Sequence, residues 1–397
     1  MKLKVKLLLS IVFIGIILIP NAASAQNKER KWSLNGYVSY MNTNSFDSIK
    51  KTWIIDNQIH NRLNFEWYPN DNISFVAQMR NRFMYGNSVL LYPNYADIIA
   101  TDNGYLGMNW NIIDEKNFLL NVNVDRLYFK YSKGNFDVQI GRQRINWGRT
   151  LVWNPNDIFN TYSYFDFDYQ EKPGSDALRL QYYTSASSNL EIAASVNSNN
   201  KGTVAAKWLV NKWNYDFQLL AGEINQDDYV VGLGWAGAIK SIAFRGESSY
   251  FQPIDANDTA REASFNATFS LDYTFQNSLN IMGQVLYTQI PIDNPISSFA
   301  GFYTSDLSAK YLSFTEWNIF GSAAYPITPL INATLAGMYY PKVGGYFISP
   351  SIDYSMGDNL TFSFVYQYFV GDFPNAISGI NQKQQFQFAF LRLKMNF

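Results

Sequence analysis

The chain has no cysteine and a single histidine, His60, and after residue 19 it has no apolar run of the roughly 20 residues that a membrane-spanning helix needs. The missing cysteines exclude a disulfide framework and a lipid-modified N-terminal cysteine. With one histidine and no thiolate, a transition-metal centre has no ligand set, and no cofactor motif is present. Charge is scarce as well, at 16% of residues, and neither sign dominates, which argues against a nucleic-acid partner. What the chain has instead is 28 Tyr, 30 Phe and 10 Trp, at a mean hydropathy of only −0.18.

The first 25 residues read as a secretory signal peptide. Lys2, Lys4 and Lys6 precede an apolar run from Leu7 to Ile19, and Ala23-Ser24-Ala25 supplies a small-x-small cleavage pattern. An uncleaved anchor is the alternative, but the run is short for one. The 31 basic residues less these three lysines leave 28 against 32 acidic ones, a net charge of about −4 by formal count.

The remainder, 26–397, alternates with period two. In "WIIDNQIHNRLNFEW", residues 53–67, Trp53, Ile55, Ile59, Leu63, Phe65 and Trp67 fall on odd positions, and Asp56, Gln58, His60, Arg62, Asn64 and Glu66 on even ones. The same pattern recurs at 72–85, 175–185, 213–222 and 263–275. These segments reach or exceed the 9–11 residues that a tilted strand needs to cross a bilayer, whereas strands of soluble sandwiches are typically 5–6 residues. Counting them gives about 18 strands, with 16 to 20 left open. Every second link is short and rich in Pro, Asn, Asp, Ser or Gly, as at Tyr68–Asp71 and Ser132–Asn135, and the links between them include all the long ones, 86–118, 147–174, 252–262, 291–312 and 371–383. The expected fold is therefore all-β: a transmembrane antiparallel barrel in the outer membrane, with short periplasmic turns and long extracellular loops.

Two stretches carry a family resemblance. The chain ends "FQFAFLRLKMNF", in which Leu391, Leu393, Met395 and the terminal Phe397 alternate with polar residues. This resembles the C-terminal signal through which the barrel assembly machinery recognises outer-membrane barrels. "LYFKYSKGNFDVQIGRQRINWG", residues 127–148, is similar to the hairpin followed by Gly-Arg-Gln and Trp-Gly in porin-like Gram-negative barrels, including alginate-export-type proteins, with Gly141, Arg142, Gln143, Trp147 and Gly148 at the matching positions. The resemblance covers about 30 residues and implies a porin-like channel in contact with outer-membrane lipid and lipopolysaccharide. Porin-like barrels occur as monomers and as trimers, so the oligomeric state stays open.

If the apolar positions face lipid, the charged ones face the lumen, because a charge on the lipid side costs roughly 2–4 kcal/mol at mid-bilayer. Arg62, Arg80, Arg82, Arg126 and Arg179 would then stack along one wall of neighbouring strands. In the strand read at 135–146, Phe136, Val138 and Ile140 put even positions outward, so Arg142 and Arg144 join that wall only if the strand bulges near Gly141. The long link at 147–174 brings Asp157, Asp166, Asp168 and Glu171. In general porins the third loop commonly folds into the barrel, and this loop is similar in place and charge. Two readings of these residues stand side by side: a transversely polarised constriction for small hydrophilic, anionic solutes, or ion pairs that merely fasten the loop. A non-conducting structural barrel and an outer-membrane hydrolase using His60 are the other function classes, the latter without an accompanying nucleophile motif.

Overall fold

The protein was analysed as a computed structural model that describes residues 31–49, 53–164, 168, 170–292, 294, 307–374 and 381–397. The segment 1–25, which the sequence offers as a signal peptide, and Asp166 lie outside the described residues. The strands are β1 (Trp32–Phe46), β2 (Ile54–Asn70), β3 (Ile73–Gly86), β4 (Asn109–Glu115), β5 (Phe118–Lys133), β6 (Phe136–Gln143), β7 (Ser175–Ser185), β8 (Ser188–Val196), β9 (Gly202–Lys212) and β10 (Tyr215–Ile224). They continue with β11 (Asp228–Ile239), β12 (Ile242–Pro253), β13 (Ser264–Thr274), β14 (Asn280–Thr288), β15 (Trp317–Thr328), β16 (Ile331–Tyr340), β17 (Gly345–Gly357), β18 (Leu360–Pro374) and β19 (Asn381–Asn396). All pair antiparallel with their neighbours, and β1 closes the ring against β19 with Tyr37 opposite Asn396.

Eighteen of these strands form the wall, in agreement with the count from alternation. β4 is the nineteenth and stands outside the ring order: β3 pairs directly with β5, and β4 lies along the upper part of β5, from Asn109 opposite Asn123 to Glu115 opposite Phe118. Its cause is the shortness of β6. That strand pairs only with the lower part of β5, up to Leu127 opposite Arg142, and then leaves the wall. The strand read at 135–146 thus runs three residues past the end of β6, and the link read as 86–118 contains a strand, preceded by one-turn helices at Asn87–Leu91 and Tyr95–Ile99. β4 follows no clear alternation in its sequence, because it forms to satisfy an edge that β6 has vacated.

Outward positions are apolar. Ile55, Ile59, Phe65 and Trp67 of β2, Leu190 and Ile192 of β8, and Leu391, Leu393 and Met395 of β19 are all exposed, while His60, Arg62, Glu191 and Lys207 are buried on the inner side. A soluble fold would hide the first set; lipid explains their exposure. No described helix is long and apolar enough to cross a membrane.

The break in alternation around β5 and β6 resolves in two places. β5 carries the bulge: Gln78 pairs with Arg126 and Met79 with Val124, so the register skips Asp125 and both Asp125 and Arg126 turn inward. On β6 the pairing is continuous through Gly141 on both sides. The expected bulge at Gly141 is therefore on its neighbour, and the change of face at Gly141 comes from its own backbone, with φ at +119°. A Cβ at that position would run into the Leu127 carbonyl oxygen.

Candidate functional site, an inward loop and a charged cavity

After Gln143 the chain turns away from the wall, and residues 144–164 make their contacts with inward-facing side chains of distant strands. Ile145, Trp147 and Ile158 pack against Ala177, Ala193, Ala205, Leu220, Val230 and Phe251. The three alanines, on β7, β8 and β9, leave the room that the Trp147 indole fills, and Phe159 meets that indole edge-on at 5.1 Å. Val152 and Trp153 enter a second apolar cluster with Met282, Leu286, Phe320 and Met338 of the wall and with Leu312 and Phe314 from the segment before β15.

Polar side chains of the same wall hold the loop's backbone. Gln284 accepts from the Val152 N–H at 3.0 Å and donates to the Trp153 carbonyl at 3.0 Å; Gln218 donates to the Trp147 carbonyl at 2.9 Å. Glu191 accepts from the Trp147 indole N–H at 2.6 Å while paired with Arg179 at 2.6 Å and Lys207 at 3.0 Å. The Val152 N–H and the Trp147 and Trp153 carbonyls thus find partners on the wall, as burial requires, whereas Arg144 Nη1 finds none. Within the loop, Asp157 is fully buried, accepts from the Trp147 N–H at 3.2 Å and lies 3.3 Å from Arg144. Burial pushes its carboxyl up to about 7, with Arg144 pulling the other way.

The returning part of the loop reaches the opposite wall. Asp168 accepts from the Gln58 amide at 2.8 Å and lies 3.9 Å from both His60 Nδ1 and Arg80. Glu171 is 3.5 Å from Arg62 and accepts from the Tyr37 hydroxyl at 3.3 Å, and Lys394 donates to Gln170 at 2.9 Å. Arg126 fixes the backbone there, donating to the carbonyls of Glu171 and Lys172 at 2.7 and 2.8 Å.

The arginines singled out in the sequence do not form one continuous basic wall. Arg62 is fully buried and takes Asp125 in a bidentate pair at 2.7 and 3.2 Å. Arg142 is clamped between Asp102 at 2.7 Å and Asp176 at 2.8 Å, and Arg82 donates to Asn121 at 2.8 Å. Arg144 belongs to the loop, pairs with Asp157 rather than with the wall, and stacks over Tyr162 at 5.1 Å. Arg179, on β7 next to β6, shares Glu191 with the Trp147 indole. From the wall, Arg62 meets the loop acid Glu171 and Arg80 meets Asp168. Sequence reasoning missed Asp102, Asp125 and Asp176: Asp125 turns inward only through the bulge, and Asp102 reaches Arg142 only because the β4 segment folds over β6. His60 accepts from Arg80 Nε on its Nε2 at 3.4 Å. That bond occupies the nitrogen which a hydrolytic dyad would leave for a serine.

Between the loop and the β3, β5 and β6 wall lies a cavity of about 550 Å³, bordered by Arg80, Arg82 and Arg142 from the wall, Asp102 from the β4 segment, and Asp168 and Lys172 from the loop. A closed barrel, an inward third loop and a charged cavity beside it make up the architecture. No family model and no curated protein matches the sequence. Solved structures do. The chain aligns with OccAB4 of Acinetobacter baumannii at 11% identity and a TM-score of 0.56, covering 94% of this chain and all of that one. With OccAB3 of the same species the identity is 8% and the TM-score 0.57, over 92% and 100% of the two chains. With the outer membrane protein opdK from Pseudomonas aeruginosa they are 8% and 0.54, over 92% and 98%. The fold is that of an outer-membrane porin-like barrel. At these identities the likeness is one of architecture, and the barrel's inner chemistry is its own.

Proposed function

We propose that this barrel is a channel through which small hydrophilic solutes diffuse passively across the outer membrane, along the β3, β5 and β6 wall. The observation that carries the reading is the charged cavity beside the loop. Its opposite side, where Trp147 and Trp153 pack, is filled with side chains, so water and solute keep to the charged side.

The cavity is bordered by Arg80, Arg82, Arg142 and Lys172 against Asp102, Asp125 and Asp168. That small basic excess supports a weak preference for anions, with Arg62 and Arg126 behind it and Asp168 and Glu171 shaping the field from the loop. Arg179, Arg144 and Asp157 stand apart from this path and serve the loop. Leu391, Leu393, Met395 and Phe397 remain the proposed recognition strip for the assembly machinery, and lipopolysaccharide the expected neighbour of the outer rim.

Single-channel recording of the refolded protein in a planar bilayer tests this reading. The expected result is steady conductance with a reversal potential biased toward anions, and a loss of that bias in the Arg80→Ala, Arg82→Ala double variant. Inserted barrels that pass no current would refute the channel; an unchanged reversal potential in the double variant would refute the selectivity.

A further inference from the structure

The side chain that fixes the loop's position belongs to neither the loop nor the cavity. Glu247 lies in the middle of β12, on the inner side, and is 1% exposed. Its carboxylate accepts from the backbone N–H groups of Arg149, of Thr150 at 2.6 Å and of Asn156 at 2.9 Å, and from the Thr150 hydroxyl at 2.9 Å. These donors come from both ends of the turn 149–156. One side chain therefore closes eight residues of loop onto the wall.

Its surroundings are built for the same contact. Ser249, two residues along β12, donates to the Asn156 side-chain oxygen at 2.7 Å, and the Asn156 amide donates to the Leu233 carbonyl of β11 at 2.9 Å. Gly232 leaves the space that Asn156 occupies, since a Cβ there would press on the Asn156 oxygen. A carboxylate buried this deeply is stabilised only while its donors stay in place, so the loop turn and the acid hold each other.

We propose that Glu247 is the positioning residue that sets the cross-section of the pore. By pinning the turn 149–156 to the β11–β14 side it holds the loop away from the charged wall at a fixed distance, without itself touching solute. The proposal rests on the channel reading above.

The test compares wild type, Glu247→Ala and Glu247→Gln by single-channel conductance and by the size of polyethylene glycol that still enters the pore. Freed of its anchor, the loop in Glu247→Ala should raise mean conductance about twofold or more, with added open-channel noise and a larger size cut-off. Glu247→Gln keeps an acceptor oxygen for Arg149 and Thr150 but presents an amide to the Asn156 N–H, so it should fall between the two. Wild-type conductance and cut-off in Glu247→Ala would overturn the proposal. If that variant does not assemble into a heat-modifiable barrel, Thr150→Val, which removes the hydroxyl shared by Glu247 and the Trp153 carbonyl and leaves the backbone donors to Glu247, must show a smaller change in the same direction, and no change would overturn it. A wild type that inserts without passing current would refute the channel and this inference with it; wild-type current with an unaltered variant refutes this inference alone.

Discussion

The inner faces of β7–β14 and of β1–β6 belong to one barrel and hold opposite interiors. On the first, small and apolar side chains such as Ala193, Ala205 and Leu220 meet Ile145 and Trp147, and polar groups such as Gln218 and Gln284 are spent on the loop's backbone. On the second, Arg80, Arg82 and Arg142 face Asp102, Asp125 and Asp168 around open space, with Arg62 buried against Asp125 behind them. The lesson is that period-two patterning specifies which side chains point inward, whereas side-chain size decides whether they meet protein or water. Alanine invites a loop; a long charged side chain keeps a cavity open.

The comparison breaks most readily at Trp147. Trp147→Ala removes the largest side chain of the packed side and leaves Glu191, Arg179 and Lys207 without their indole neighbour, so it should cost about 3–5 kcal/mol of stability, read from urea unfolding in lipid vesicles. A cost under about 1 kcal/mol would mean that the loop is not part of the core.

A smaller effect separates the two sides by pH. The Asp157 carboxyl is held up at about 7 by burial, above the roughly 3.9 of an unfolded chain. Its contribution to stability is therefore complete below about pH 4 and lost as pH rises through 7, since the folded state binds the proton more tightly there. Asp157→Asn should flatten the fall in unfolding midpoint between pH 5 and pH 8; an unaltered slope would assign that fall to other groups.

The smallest effect belongs to the charged side. Asp168→Asn touches a residue whose ion pairs to His60 and Arg80 are both at 3.9 Å, so stability should change by less than about 1 kcal/mol while the reversal potential moves further toward anions. A large loss of stability with no change in selectivity would reverse the roles given to the two sides.

Much of the barrel was legible because lipid enforces a strict rule on every strand: all eighteen wall strands were readable from segments such as 53–67, and the short turns from their Asn, Gly and Ser content. β4 and the Asp125 bulge were not, since both answer to the early end of β6, a tertiary circumstance with no local signature. For the site, alternation put Arg62 and Arg80 on the inner side, where both are buried. It could not say which acid each would meet, because partners such as Asp102 and Arg142, or Glu247 and Thr150, come together only when loops fold inward. Asp157 illustrates the limit: the sequence offers it as a constriction acid or a fastener of the loop to the wall, and it is buried inside the loop, bonded to the Trp147 N–H and 3.3 Å from Arg144.

The central claim, that solute follows the charged side and bypasses the packed one, has a direct test because the chain contains no native cysteine. Asn123→Cys borders the cavity on β5, and Val230→Cys lies under the loop on β11. Each would be exposed to a charged thiol reagent during single-channel recording. The account predicts stepwise loss of current for Asn123→Cys and none for Val230→Cys; block at Val230→Cys with Asn123→Cys unaffected would contradict it.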